Sequence, residues 1–184
     1  YTVSGATYVY PTTVKHYHPA NPPSTSWSTV STNQTQGRSN HSAIWTGQYM
    51  VVWGGLDPSG VSINTGFRYE ANHPTVSARS VAMPTAAPVP SARYGHTAVK
   101  AGNKMIVWGG QTFTMPNYIY TYFQNGGIYD PAVNSWTALN PASGDPPSSR
   151  TNHKAIWTGS EMIIWGGTDT TTWLPVKTGA RYVP

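Results

Sequence analysis

The sequence predicts an all-β chain built from a repeated four-stranded antiparallel unit, and three observations predict it. Arg, His, Gly, Met and Trp recur three times at fixed offsets, and a Gly-x-x-Tyr segment follows each recurrence. The composition also suits short strands joined by tight turns: 9% of the 184 residues are charged, against 18 Gly, 16 Pro, 12 Tyr and 8 Trp. Aromatic residues favour pleated, half-buried surfaces, while Gly and Pro punctuate them. The length is enough for one domain with its own core, and Trp and Tyr each bury large areas.

The first two strands of each unit come from the stretches Arg38 to Gly55, Arg93 to Gly110 and Arg150 to Gly167. In each, His stands three residues after Arg, Gly nine after, Met twelve after and Trp fifteen after; the copies start 55 and 57 residues apart. Ser42 to Trp45 and Met50 to Trp53 read as strands around the turn Thr46-Gly47-Gln48, with equivalent turns at Gly102 and Gly159. The runs ending at Trp53, Trp108 and Trp165 are continuously apolar, as a strand buried on both faces should be. Those three Trp, like Met50, Met105 and Met162, are therefore expected in the core.

The third strand is the Gly-x-x-Tyr segment, at Gly66–Tyr69, Gly126–Tyr129 and Gly179–Tyr182, with an extra copy at Gly5–Tyr8. A fourth strand is expected at Asn134–Thr137, at Thr25–Ser28 and, without a Trp, at Ala78–Met83. Four strands per unit followed by a Pro-rich connection is the layout of a β-propeller blade. The expected boundaries are 1–37 for the third and fourth strands of a preceding blade, 38–92 for one blade, 93–149 for a blade with an insertion at 111–125, and 150–184 for a partial blade. All belong to a single propeller domain or part of one.

With the Arg-x-x-His strand, the apolar strand ending in Gly-Gly, Gly126-x-x-Tyr129-Asp130-Pro131 and Trp136, the chain resembles kelch repeats, and is most similar to the bacterial variety in which Trp precedes the Gly pair. The resemblance spans nearly the whole chain and implies blades arranged radially. It departs from the pattern at Tyr69, which is followed by Glu-Ala, and in the long insertion after Gly110. Some proteins of this kind are copper radical oxidases that need a Tyr–Cys crosslink, which a chain with no Cys cannot form. Others are sugar mutarotases, whose acid/base groups this chain does not supply: its six acids, among them Asp130 and Glu161 at turns, form no evident pair.

The three periods between Tyr8 and Tyr182 are 61, 60 and 53 residues, and three blades are fewer than the about four to eight of known propellers. The expectation is an incomplete ring, either part of a larger propeller or completed by oligomerisation. Deleting Tyr1 to Pro11 is accordingly expected to disturb an assembly while leaving residues 38–140 folded.

The net charge of +5 reflects few acids, and the bases are scattered singly, so nucleic acid is not an expected partner. No run of about 20 apolar residues marks a membrane span. Lack of Cys excludes disulfides and thiolate-held metals, and no cofactor or metal is expected. The Cys-free, charge-poor composition points to a secreted or cell-surface bacterial protein. Arg38, His41, Arg93, His96, Arg150 and His153 are expected to be structural, bonding a neighbouring blade. Candidate ligand contacts are Phe113, Tyr118, Tyr120, Tyr122 and Phe123 of the insertion, with Trp173 in the equivalent loop of the last unit, because loops that interrupt a repeat collect on one face. The expected function is a non-catalytic binding or structural module that mediates protein–protein assembly, with partners among other proteins, other copies of itself or the rest of a longer chain. The alternatives are a glycan-binding propeller that stacks sugars on these aromatics and a sugar-converting enzyme.

Overall fold

The computed structural model describes residues 2–4, 7–9, 13–17, 19–20, 22, 24, 26–30, 36–73, 79–139 and 146–184. Among them are nineteen strands and no α-helix. β1 (Thr2–Ser4) pairs with β2 (Thr7–Val9), and β3 (Val14–Tyr17) with β4 (Trp27–Val30). Unit one is a four-stranded antiparallel sheet of β5 (Ser42–Trp45), β6 (Tyr49–Trp53), β7 (Gly66–Glu70) and β8 (Ser80–Ala82). Unit two repeats it with β9 (Thr97–Ala101), β10 (Lys104–Trp108), β13 (Gly126–Asp130) and β14 (Ser135–Ala138). Its insertion forms a separate hairpin of β11 (Gln111–Thr114) and β12 (Ile119–Tyr122). Unit three has a two-residue ladder of β15 (Arg150–Thr151) with β18 (Thr168–Asp169) and a sheet of β16 (Lys154–Trp157), β17 (Met162–Trp165) and β19 (Gly179–Tyr182). The chain is all-β, with four-stranded antiparallel blades.

Register explains why the repeat keeps the residues it does. Met50 lies opposite Tyr69, Met105 opposite Tyr129 and Met162 opposite Tyr182. At the other end of the same strand pairs, Trp53, Trp108 and Trp165 lie opposite Gly66, Gly126 and Gly179. A Cβ at these glycines would sit 2.4 Å from the Val52 carbonyl oxygen, 1.8 Å from that of Val107 and 2.1 Å from that of Ile164. These glycines therefore permit close approach of two strands. The hairpin turns use glycine for its other property, with positive φ at Gly47, Gly102 and Gly159.

Alternation along each central strand builds the core between units. Val51 and Trp53 of β6 pack with Met105 and Val107 of β10, Tyr129 and Trp136. The opposite face of β10, Ile106 and Trp108, packs with Val99 and with Met162 and Ile164 of β17. Thus β10 is covered on both faces, as its unbroken apolar run requires. Each such side chain contributes roughly 1.5–3 kcal/mol on burial. On the far face of unit one, Val52, Phe67 and Tyr69 form a third cluster, with His16 of β3 edge-on to Tyr69 at 5.6 Å.

Two expectations change. Trp165 is 60% exposed, not core: its ring lies on the face of β17 that points away from unit two. The Trp27 strand pairs with Val14–Tyr17 instead of with the Gly5–Tyr8 segment, of which Thr7 and Tyr8 lie in β2. Gly5, Ala6 and Ala78 lie outside the described residues, and the fourth strand of unit one is described as Ser80–Ala82. Trp108 is 4% exposed, so Trp108→Ala should cost roughly 3–5 kcal/mol, whereas Trp165→Ala should cost less than about 1 kcal/mol. Chemical denaturation of the two variants side by side checks this, and equal losses would contradict the assignment of faces.

Candidate functional site

The site is built on the joints between units. Each Arg-x-x-His turn bends through a left-handed residue, with φ of 52° at Asn40, 64° at Gly95 and 57° at Asn152. This brings the Arg side chain back into its own unit. Nη1 of Arg93 donates to the carbonyls of Gly109 and Asn125, both at 3.0 Å; that of Arg150 donates to Gly166 (3.0 Å) and Thr178 (2.8 Å), and that of Arg38 to Gly54 (3.0 Å) and Thr65 (2.8 Å). The side chains of these arginines thus bond their own blade, while the Arg backbone reaches the blade before: the Arg93 carbonyl accepts from Gly55 N–H and that of Arg150 from Gly110 N–H.

The histidines close the joint. His96 stands edge-on to Trp53 at 5.2 Å and its Nε2 hydrogen-bonds Ser42 Oγ at 2.9 Å. His153 repeats this against Trp108 (4.9 Å) and Thr97 Oγ1 (2.7 Å). Burial pushes His96 down to about 3, helped by the nearby Arg93, and His153 down to about 4, with Arg150 adding to the effect. His41, the equivalent residue of unit one, is more exposed, and its pKa is lowered by partial burial and by the nearby Arg38. Among the described residues no group of three or more His, Cys, Asp or Glu could hold a metal ion.

Where the three turns meet they line a cavity of 390 Å³, bounded by Asn40, His41, Tyr94, His96, Gln111 and Asn152, with Gly95 and Thr151 completing the wall. Gln111 is held there by a two-way backbone bridge with Tyr94, 2.9 Å in each direction, and its amide donates to the Tyr94 hydroxyl at 2.6 Å. The same bridge recurs between Ser39 and Leu56 and between Thr151 and Thr168. The loop after every Gly-Gly pair is therefore launched from the rim of this cavity.

The candidate aromatics largely come together. Phe113 faces Tyr94 edge-on at 6.2 Å and packs against Tyr118 and Tyr120; Tyr120 stacks with Tyr122 at 6.1 Å. Trp173, from unit three, meets Tyr120 at 6.3 Å and Tyr122 at 5.4 Å. A chain of six rings thus runs outward from the cavity rim. Phe123 is drawn elsewhere, lying 4.0 Å under the Arg93 guanidinium. Sequence reasoning missed Tyr94, Gln111, Asn40 and Asn152. Their signal was positional: they fall in or just after the two motif ends that the repeat places side by side. Among the described residues no carboxylate lines the cavity, and Asp169 is committed to the N–H groups of Thr171 and Thr172 and to Ser148, which hold it below the usual carboxylate range.

Four-stranded blades locked by an Arg-x-x-His turn, with loops gathered at one end, define a propeller-type recognition scaffold. The chain belongs to the kelch-repeat family: the KLHDC2/KLHL20/DRC7 Kelch-repeats domain matches residues 40–177. It is similar to Kelch domain-containing protein 3 of Homo sapiens, 28% identical over 134 residues that make up 71% of this chain and 32% of that protein. It is also similar to Rho GTPase-activating protein gacHH of Dictyostelium discoideum, 33% identical over 44% of this chain and 5% of that protein. The solved structure of YjhT shares the fold with a TM-score of 0.66 at 17% identity, over 88% of this chain and 48% of that one. The chain thus spans about half of YjhT and a third or less of these two relatives.

Because His96 and His153 are held neutral, the unfolded chain binds more protons than the folded one below pH 6.5. Stability should be level above pH 7 and fall steadily from pH 6.5 toward pH 4. Melting temperatures measured across that range check the sign, and a flat profile down to pH 4.5 would contradict it.

Proposed function

We propose that this chain is a non-catalytic module for protein–protein recognition and that its partner docks on the ridge formed by the unit-two hairpin and the unit-three loop. The observation that carries the reading is the meeting of two loops from consecutive units to expose Met115, Tyr118, Ile119, Tyr120, Trp173 and Leu174, each between 43% and 63% exposed. Monomeric surfaces seldom expose so many apolar side chains together, and Tyr and Trp dominate the residues that carry binding energy. The ridge is also stiff before binding. Its rings support one another, Asp169 caps the turn that presents Trp173, and Trp173 N–H donates back to the Asp169 carbonyl at 2.9 Å. A preorganised anchor loses little entropy on docking.

A second contact belongs to the same proposal. The exposed Trp165 face and the outer edge of β19 suit a further unit, supplied by more of the same polypeptide or by another copy. The setting we propose is the outside of a bacterial cell, which the Cys-free, charge-poor composition supports.

Affinity capture from the surface and secreted proteins of the source cells tests the ridge. Tyr120→Ser and Trp173→Ser should each weaken retention of the captured protein about tenfold or more while shifting the melting temperature little. Retention unchanged by both substitutions would overturn the reading.

A further inference from the structure

We propose that the central cavity between the three Arg-x-x-His turns is a binding site for a neutral saccharide unit, separate from the apolar ridge. Its 390 Å³ falls within the about 300–1,000 Å³ typical of small-molecule sites. The chemistry of its wall narrows the ligand. Among the described residues no Asp, Glu, Lys or Arg lines it, and Arg38, Arg93 and Arg150 spend their donors on carbonyl and side-chain oxygens of their own units. A charged ligand would find no partner there. No Leu, Ile, Val or Met lines it either among the described residues, so they offer an apolar side chain of a peptide no pocket.

What the wall offers is the carboxamides of Asn40, Gln111 and Asn152 and the Tyr94 phenol, groups that both donate and accept. Sugar hydroxyls need that two-way capacity, and a pyranose also carries a C–H face that lies against aromatic rings. Aromatic rings begin at the rim with Tyr94 and Phe113. Two side-chain polar atoms at or beside this wall are buried without a hydrogen-bond partner: Nδ1 of His96, which lines the cavity, and the hydroxyl of Tyr122, which lies directly opposite Gln111 in the β11–β12 register. A buried hydroxyl left unpaired is costly, and a sugar oxygen in the cavity would satisfy it. Asn40 and Asn152 hold left-handed backbone, which orients their amides and fixes the choice of test variants.

Saturation-transfer NMR on the 184-residue chain, with glucose, galactose, mannose and N-acetylglucosamine as probes and glucuronate and a Gly-Ser peptide as controls, tests the assignment. At least one neutral sugar should show transfer at concentrations up to about 10 mM. Tyr122→Phe removes a hydroxyl that bonds nothing in the protein, so it should leave the melting temperature unchanged or raised while weakening the sugar about fivefold. Asn152→Gly, which keeps the left-handed backbone available, should weaken it similarly. Ile119→Ser on the ridge should leave it unchanged, so failure here and failure of the protein-docking reading are separate results. No transfer to any neutral sugar, transfer to glucuronate or the peptide alone, or transfer that survives both Tyr122→Phe and Asn152→Gly would overturn the proposal.

Discussion

A guanidinium bonded to backbone carbonyls holds each unit closed, buried in units two and three and partly buried in unit one, and the rest of the molecule is arranged around it. Arg93 is fully buried, and its donors go to the carbonyls of Ser91, Gly109 and Asn125 and to the Asn125 side chain. Phe123 covers its remaining face. Burial pulls its pKa down to about 9, which still leaves it charged at neutral pH. A buried charge costs several kcal/mol unless its hydrogen bonds are complete. Here they are completed by carbonyls at the end of β10 and at the start of β13, where the ladder stops and backbone oxygens would otherwise lack donors. Lysine cannot substitute, because the fixed fork of the guanidinium is what reaches two strands at once.

The Gly-Gly pair follows from the same constraint, and its two members do different work. A Cβ on the first glycine would strike the next unit: at Gly54 it meets His96 at 2.9 Å, and at Gly109 it meets His153 at 2.6 Å. A Cβ on the second would strike the chain's own turn: at Gly55 it meets the Ser39 carbonyl at 2.3 Å, and at Gly110 that of Tyr94 at 2.7 Å. Gly167 keeps its crowding against Thr151, whereas Gly166 has nothing nearer than 3.7 Å. The exposure of Trp165 and the openness at Gly166 are one fact. Half of every joint is supplied by the following unit, so the last unit described shows the half-joint bare.

This explains which parts of the structure were legible in the sequence. Residues that bond within a unit or across a joint must repeat, so Arg, His, Met, Trp and the glycines announced the sheets and their register. The β3 strand was hidden because Val14 stands where the repeat has Gly, so Gly5–Tyr8 drew the match. Yet Tyr17-His18-Pro19-Ala20 parallels Tyr129-Asp130-Pro131-Ala132 and was the better frame. The exposed Trp165 could not be read from its own strand, since burial there depends on a neighbour. The cavity residues were illegible for the opposite reason: the two positions between Arg and His vary, as Ser39-Asn40, Tyr94-Gly95 and Thr151-Asn152, and variable positions carry no period.

Repeated joint geometry and variable turns together decide where the loops fall. The Arg-x-x-His turn and the Gly-Gly end of the second strand lie at the same end of every unit, bridged by paired backbone bonds at Ser39 and Leu56, Tyr94 and Gln111, and Thr151 and Thr168. Any residues inserted after the glycines therefore start beside the cavity, in a direction set by two hydrogen bonds. Unit one uses the position for a short turn closed by Asp57, unit two for a hairpin and unit three for a capped loop. Because units two and three are locked at a fixed angle by His153 on Trp108, their insertions cannot avoid each other. The contact of Tyr120 and Tyr122 with Trp173 is a consequence of that lock. A protein built this way can change the side chains its face presents by changing loop residues alone, while the repeated arginines keep the face in place.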